Sequence, residues 1–408
     1  MKVVQINTVY GCKSTGRTCM ELEKYLTAHG HTCLTAFGWG AKSGGNTYRI
    51  NTKAEYYFHN LMSRLTGLEG YFSVFATWRL IRFLKKYKPD LIHLRNLHGH
   101  YVNLPLLFRY LEKSKLPVVV HLHDFWIVSG CCPHPTLHKC DGWLGECNHC
   151  PSKKSYPQSL FFDFSRKMFE DKKKWFYALD NVHVVGVSEW VKQEGDKSFL
   201  NKFPVSRIYN WINTDVFRPV DSTILETYSL DSHKFNIICV GAGWESKGER
   251  YRDLLALADK LDDDMQLIVV GAASAPATKD NVRHIGFTNS TEQLAQLYSA
   301  CDVYVHFSVA DTFGKVIAEA MACGLPAIVY DRTACPEIVG EGCGFSVAAH
   351  DIDALYEKIK AVKVAGKESY SSACIEWVRH SFGYEANCAQ TLALYEEMLA
   401  QADVLSAV

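Results

Sequence analysis

Charge of one sign is what this chain lacks most plainly. Its 408 residues carry 44 Lys and Arg against 44 Asp and Glu, a formal net charge of +0. Phosphate backbones are gripped by a basic excess, so no nucleic acid is expected as a main partner. No apolar run approaches the roughly 18 residues that would span a bilayer. Residues Met1 to Asn7 read as a short strand without a secretory pattern, and there is no repeat of fixed period and no low-complexity tract. The first glycine loop, Tyr10-Gly11-Cys12-Lys13-Ser14-Thr15-Gly16, is followed by a helix from about Arg17 to His29. It lacks the Gly-Lys-Ser/Thr close of a Walker loop. It also lacks Gly-x-Gly-x-x-Gly with an acid about 20 residues on, which argues against a dinucleotide-dependent dehydrogenase.

What remains is ordinary globular material: 48% hydrophobic and 22% charged residues. The length exceeds one typical core, so two domains are expected. Strand, glycine loop and helix occur at the start and again from Phe235 through Gly241 to Gly248, which predicts two Rossmann-like halves. Cysteine is not scarce. Fifteen thiols scattered through an α/β pattern read as reduced, mostly packing groups of a cytosol.

The stretch Asp311-Thr312-Phe313-Gly314-Lys315-Val316-Ile317-Ala318-Glu319 organises the rest. Phe313-Gly314 is a hinge at a helix start, and Gly324 with Pro326 ends that helix. An uncapped helix N-terminus is an anion site, and Gly314 lets backbone approach a ligand. Carboxylates at Asp311 and Glu319 then suit hydroxyl groups on either side of a phosphate, the layout of a nucleotide sugar.

Acid, seven residues, acid, with Phe313-Gly314 inside and Glu319-Ala320-Met321-Ala322-Cys323-Gly324-Leu325-Pro326 closing it, resembles the signature of the family 4 retaining glycosyltransferases. The chain departs at Asp311, where most members carry Glu. The resemblance implies an α/β GT-B fold, two Rossmann-like domains facing across a cleft. It implies donor binding by Gly16, Gly241, Lys247, Phe313, Gly314, Lys315, Val316 and Glu319. Asp311 and Lys247 would act on sugar hydroxyls and diphosphate. The Arg that usually accompanies the Lys is replaced by Ala242, leaving Arg250, Arg252 or Lys315 to substitute. His121-Leu122-His123-Asp124-Phe125 resembles the family's histidine loop, which gives His123 a donor-sugar contact. Arg207 to Pro219 resembles the domain crossover, with Trp211 in place of the usual Gly. The expected domains are 1–215, 216–375, and terminal helices 376–408 that cross back to the first.

Other residues are read from their own chemistry. Leu91 to Leu94 is a strand whose end carries Asn96 and His98, candidate acceptor contacts. A cysteine-rich insert spans 131–150. Its Cys132-x7-Cys140-x6-Cys147-x2-Cys150 spacing fits structural zinc, and equally fits packing or redox thiols. Residues 53–88 predict two amphipathic helices, aromatic on one side and basic on the other, either core-facing or a membrane-surface patch.

The resemblance implies transfer of a sugar from a UDP- or GDP-linked donor to a glycan or lipid-linked acceptor in surface polysaccharide synthesis. The resemblance implies that the chemistry needs no cofactor, with zinc only structural. The expected place is the cytoplasm, with peripheral contact at the inner face of the membrane. The alternatives are a nucleotide-sugar epimerase and a catalytically weak sugar-binding scaffold.

Overall fold

A strand that must pair in parallel with the next cannot turn back directly; it needs a crossover, usually a helix. The computed structural model, which describes residues 1–40, 45–241, 244, 248–271 and 279–406, follows that rule in both halves. The chain divides into two compact units, Met1–Ile208 with Cys388–Val408, and Tyr209–Asn387.

Unit one holds β1 (Lys2–Tyr10), β2 (Thr32–Gly40), β3 (Thr47–Arg49), β4 (Leu91–Leu94), β5 (Val118–Leu122), β6 (Val182–Gly186) and β7 (Val205–Arg207). They form one parallel sheet in the order β3-β2-β1-β4-β5-β6-β7. Unit two holds β8 (Phe235–Val240), β9 (Met265–Val270), β10 (Val282–Ile285), β11 (Val303–His306), β12 (Ala327–Tyr330) and β13 (Gly344–Val347). Its parallel sheet runs β10-β9-β8-β11-β12-β13. The expected α/β architecture of two Rossmann-like domains is what the chain adopts. Strands β4, β5, β9 and β12 are buried along their whole length, as strands covered on both faces must be.

In both sheets the order reverses beside the first strand, between β1 and β4 and between β8 and β11. Successive helices leave for opposite faces there, opening a crevice at the carboxyl ends of the two strands. The loops after β1 and β4, and after β8 and β11, are thereby committed to ligand positions. The aromatic–basic segment forms two helices, Lys53–Thr66 and Val74–Tyr87. The first starts with a capping box, Thr52 receiving the Glu55 N–H while the Glu55 carboxylate receives that of Thr52. Ser188 caps the helix after β6 by accepting the Val191 N–H.

The signature helix spans Lys315–Ala322, with Ile317, Ala318, Ala320 and Met321 buried. Its entry rests on a ring cluster. Phe313 is buried edge-on against Phe382 at 5.3 Å and tilted on Tyr209 at 6.1 Å. Phe382 also meets Trp377 at 6.1 Å, and its carbonyl accepts the Ile212 N–H. Trp211, in place of the glycine of the family pattern, is buried beside Tyr384. The Phe313 ring is therefore a packing anchor for the loop that carries Asp311 and Gly314. Phe382→Ala is expected to lose about 3–5 kcal/mol, the usual cost of emptying a buried aromatic site. Urea unfolding checks this; an unchanged midpoint contradicts the anchoring role.

Candidate active site

In unit one the site is built at the ends of β1, β4 and β5. Gly16 lies in helix Lys13–Ala28, where a Cβ would stand 3.1 Å from Val9 Cγ2 and 3.2 Å from the Tyr10 backbone. A larger residue here would press on the end of β1 and push the helix or its neighbours by a few tenths of an ångström. The loop after β4 is fixed by bonds to its own backbone. The Asn96 N–H donates to Asn7 Oδ1 at 3.2 Å, and Thr8 Oγ1 lies 3.0 Å from the Asn96 carbonyl and 2.5 Å from that of His98. The buried Glu69 carboxylate accepts the N–H groups of Gly99 (2.9 Å) and His100 (2.7 Å) and the His100 ring at 2.5 Å.

With the loop held, Asn96 and His98 converge on Asp124 from the end of β5. Asn96 Nδ2 donates to Asp124 Oδ2 at 2.7 Å, and His98 Nε2 lies 2.8 Å from the same oxygen. The Trp126 N–H donates to Oδ1 at 2.9 Å. A carboxylate only accepts, so His98 donates through Nε2 and its Nδ1 can accept from the Tyr156 hydroxyl, 3.0 Å away. Burial alone would raise the Asp124 carboxyl, but His98 outweighs burial and brings it down to about 2. Asn96, His98, Tyr156, Thr8, Thr15 and Trp39 line a cavity of about 400 Å³, within the size range of small-ligand sites.

His123 stands at the end of a buried column. Its ring stacks on His121 at 4.5 Å, His121 stacks on His93 at 5.3 Å, and His93 Nδ1 meets the Tyr395 hydroxyl at 2.5 Å. Arg95, fully buried, reaches His123 Nε2 at 3.1 Å and donates to Thr18 Oγ1 at 3.2 Å. Burial, with the Arg95 charge beside them, holds His93 and His121 well below the usual range, so both are neutral.

In unit two, β11 ends at His306, whose Nε2 pairs with the Asp311 carboxylate while Nδ1 meets the Tyr304 hydroxyl at 2.9 Å. Burial would raise Asp311; His306 reverses that and holds it at about 2. Gly314 starts the signature helix at φ 73°, where a Cβ would stand 2.6 Å from Ile317 Cδ1. Gly314, the N-cap residue, has no side chain to cap the helix, whose first turn carries the positive end of the helix dipole. Lys315 and Val316 are half-buried in the first turn and Glu319 is buried one turn further on. Gly241 directly follows β8, and a Cβ on it would stand 2.0 Å from Arg250 Nη2. The Arg250 guanidinium lies over the Trp244 ring at 4.3 Å, and its charge is among those lowering Asp311. Arg252, by contrast, is exposed and 3.6 Å from Glu249. Lys247 and Ala242 lie outside the described residues.

The four cysteines singled out as metal ligands, Cys132, Cys140, Cys147 and Cys150, line one small cavity together with Cys131. Two tighter groups of metal-capable atoms occur among the described residues, His59 with Glu69 and His100, and His306 with Asp311 and Cys335. In the first, the His59 nitrogens are taken up by Ser73 Oγ at 2.7 Å and the Gly70 N–H at 3.2 Å, so it reads as a hydrogen-bonded brace. Sequence reasoning passed over His306 and Tyr156 and treated Asp124 only as a neighbour. His306, five residues before Asp311 at a strand end, was open to discovery; Tyr156, six residues past the last cysteine of the insert, left no signal.

Residues 15–216 match the family model described as Glycosyltransferase Family 4, and residues 224–371 that described as Glycosyl transferases group 1. Among curated proteins, a putative colanic acid biosynthesis glycosyl transferase, WcaC of Escherichia coli, is 25% identical over 275 residues, 65% of each chain. The match thus spans less than two-thirds of the length of that relative. Among solved structures, sucrose-phosphate synthase of Thermosynechococcus elongatus aligns with a TM-score of 0.69 at 16% identity, covering 98% of this chain and 100% of the other. HepE of Anabaena, solved with UDP-glucose, aligns at 0.65 and 17%, covering 96% and 99%. At these identities the structures establish the shared fold.

A carboxyl held low in the fold stabilises it above its unfolded pKa and loses that contribution as pH falls through the folded value. Asp124 should therefore stabilise unit one fully above about pH 4 and progressively less toward pH 2. Asp124→Asn is expected to flatten the acid limb of a stability–pH profile in that window. An acid limb identical to wild type contradicts the pair.

Proposed function

Because the chain belongs to the family 4 glycosyltransferases, we propose that it moves a sugar, with retention of anomeric configuration, from a nucleoside-diphosphate donor to a glycan or lipid-linked acceptor, in surface polysaccharide synthesis. The observation that carries this reading is the signature helix starting at Gly314, three residues after an ionised Asp311 whose carboxyl also feels the Arg250 charge. Neither an epimerase nor a non-catalytic scaffold is supported by the comparisons.

Cleavage of the sugar–phosphate bond leaves charge on the departing diphosphate. The helix N-terminus at Lys315 and Val316 and the Arg250 guanidinium are the groups to stabilise it, with Lys247 assigned the same task by resemblance. Arg250 thereby fills the gap left at Ala242. Glu319 would accept from ribose hydroxyls and Asp311 from sugar hydroxyls, its carboxylate kept ionised and aimed by His306. No side chain is assigned as nucleophile; the leaving phosphate takes the acceptor proton. On the acceptor side, His98 with Asp124 and Asn96 offers a fixed set of donors and acceptors for a sugar hydroxyl, and His123 would orient the donor sugar. The reading requires no resident metal for the chemistry. HepE was solved with UDP-glucose, so UDP is the first donor base to test, beside GDP.

A membrane surface is the proposed place of the acceptor. No helix among the described residues is long and apolar enough to cross a membrane. Tyr57, Phe58, Leu61, Phe75, Trp78 and Phe161 are instead exposed on adjoining elements, joined by Arg79–Glu55, by Phe58 on Phe72 and by the Leu160 N–H on the Arg64 carbonyl. Exposed Arg82, Lys85 and Lys86 flank them, the mix that suits an anionic bilayer surface.

Thermal shift with UDP, GDP and ADP tests the donor site. A nucleotide at 100 times its Kd adds about 2.7 kcal/mol to wild type, and Glu319→Ala should abolish the shift. Absence of any shift in wild type sinks the reading. Arg250→Ala should slow release of nucleoside diphosphate by roughly 10²–10³-fold, the scale of losing one charge-stabilising donor; an undiminished rate removes Arg250 from the mechanism. Sedimentation with anionic and neutral vesicles tests the surface, which should bind the former only and lose binding in Phe75→Ser with Trp78→Ser.

A further inference from the structure

The insert between Cys131 and Phe164 contains no strand and no α-helix; its ordered turns are Pro135–His138 and Gly142–Leu144. Trp143 is its main buried ring, packed on Phe125 at 5.2 Å. A segment of this kind buries too little apolar surface to hold one conformation and calls for a covalent or metal staple. Cys131, Cys132, Cys140, Cys147 and Cys150 all face one cavity of about 10 Å³. That is room for one small ion or water, and thiols are poor partners for a water.

The sulfurs of this pocket meet one another and a backbone donor. The Gly130 N–H donates to Cys147 Sγ at 3.1 Å. Cys131 donates its S–H to Cys150 Sγ at 3.2 Å. Lys172, from the following helix, is 2% exposed; its ammonium donates to the Trp126 and Ser129 carbonyls at 2.5 and 2.8 Å and sits 3.7 Å over the Trp126 ring. A buried ammonium needs compensating charge, and a zinc ion in four thiolates carries a net charge of −2.

We propose that Cys132, Cys140, Cys147 and Cys150 bind one zinc ion tetrahedrally, with Cys131 an outer thiol bonded to Cys150 and Lys172 the counter-charge. Cys132 is buried and Cys131 half-buried, and Cys147-x2-Cys150 supplies the knuckle spacing common to such sites. The ion also braces the acceptor-side cavity. Ser129 Oγ donates to the Cys132 carbonyl at 2.6 Å, and the Pro133 carbonyl accepts the Phe125 N–H at 2.9 Å, which ties one ligand loop to the segment carrying Asp124. The chain leaving Cys150 reaches Tyr156, the partner of His98. Zinc thus positions two walls of that cavity without touching the reacting atoms.

The full chain, purified without added metal, should contain about one zinc per molecule by plasma mass spectrometry. Absence of zinc, with either five free thiols or a Cys131–Cys150 disulfide by intact mass, overturns the proposal. Alkylation of the wild type should spare the four ligands until a chelator is added; equal labelling with and without chelator overturns it without relying on any variant. Cys140→Ser and Cys147→Ser should lose the metal and Cys131→Ser should keep it; loss in Cys131→Ser with retention in Cys132→Ser overturns the ligand assignment. Chelation should speed proteolysis within 131–164 while leaving the nucleotide thermal shift of unit two intact, so failure here and failure of the transferase reading are separable.

Discussion

A parallel sheet can be extended only by crossing over, and wherever the crossovers change side the chain cannot cover its own strand ends. Each half of this protein meets that constraint once, beside β1 and beside β8. The functional groups collect where the covering fails. Gly16, Asn96, His98 and Asp124 sit at strand ends of the first sheet, and Gly241, Asp311 and Gly314 at those of the second. Neither set was free to lie elsewhere once the strand order was fixed.

Both halves solve the same electrostatic problem in the same way. A carboxylate near a strand end must stay ionised in a partly dry place, and a bare cation beside it would compete for an anionic or hydroxylated ligand. The chain sets an imidazole against each acid, with Arg250 adding its charge only at Asp311. His98 serves Asp124, His306 serves Asp311, and His59 with His100 serves Glu69, which is held well below the usual carboxylate range despite its burial. A planar ring with two nitrogens fixes the acid through one atom and is itself fixed through the other, by Tyr156 or Tyr304.

The alternation of strand and helix, the two restarts, and the helix from Lys315 were legible because each rests on neighbours in sequence. The site was legible only in part. Asn96, His98, Asp311 and Glu319 stood out through strand ends and spacing. Tyr156 lies 58 residues from His98, and Tyr395 lies 302 from His93; no local pattern encodes such partners. Phe313 had the opposite history. Its place in the signature suggested a ligand contact, whereas its ring packs against Phe382, a residue of the far end of the same unit. Arg250 could be named as a substitute cation from the sequence, but only the absence of a side chain at Gly241 revealed where its guanidinium rests.

The first unit is discontinuous. Its strands end by residue 207, yet it also owns Cys388–Val408, which supplies Tyr395 to the histidine column and the Met398 carbonyl to Asn181. The second unit is one unbroken segment, Tyr209–Asn387. During synthesis, which proceeds from the N-terminus and lets domains fold as units, the order of completion is therefore the reverse of the order of appearance. The first half to emerge must wait, with its column of rings unfinished, while the second emerges and folds whole. A released chain that stopped after Asn387 would hold a complete second domain and an open first one.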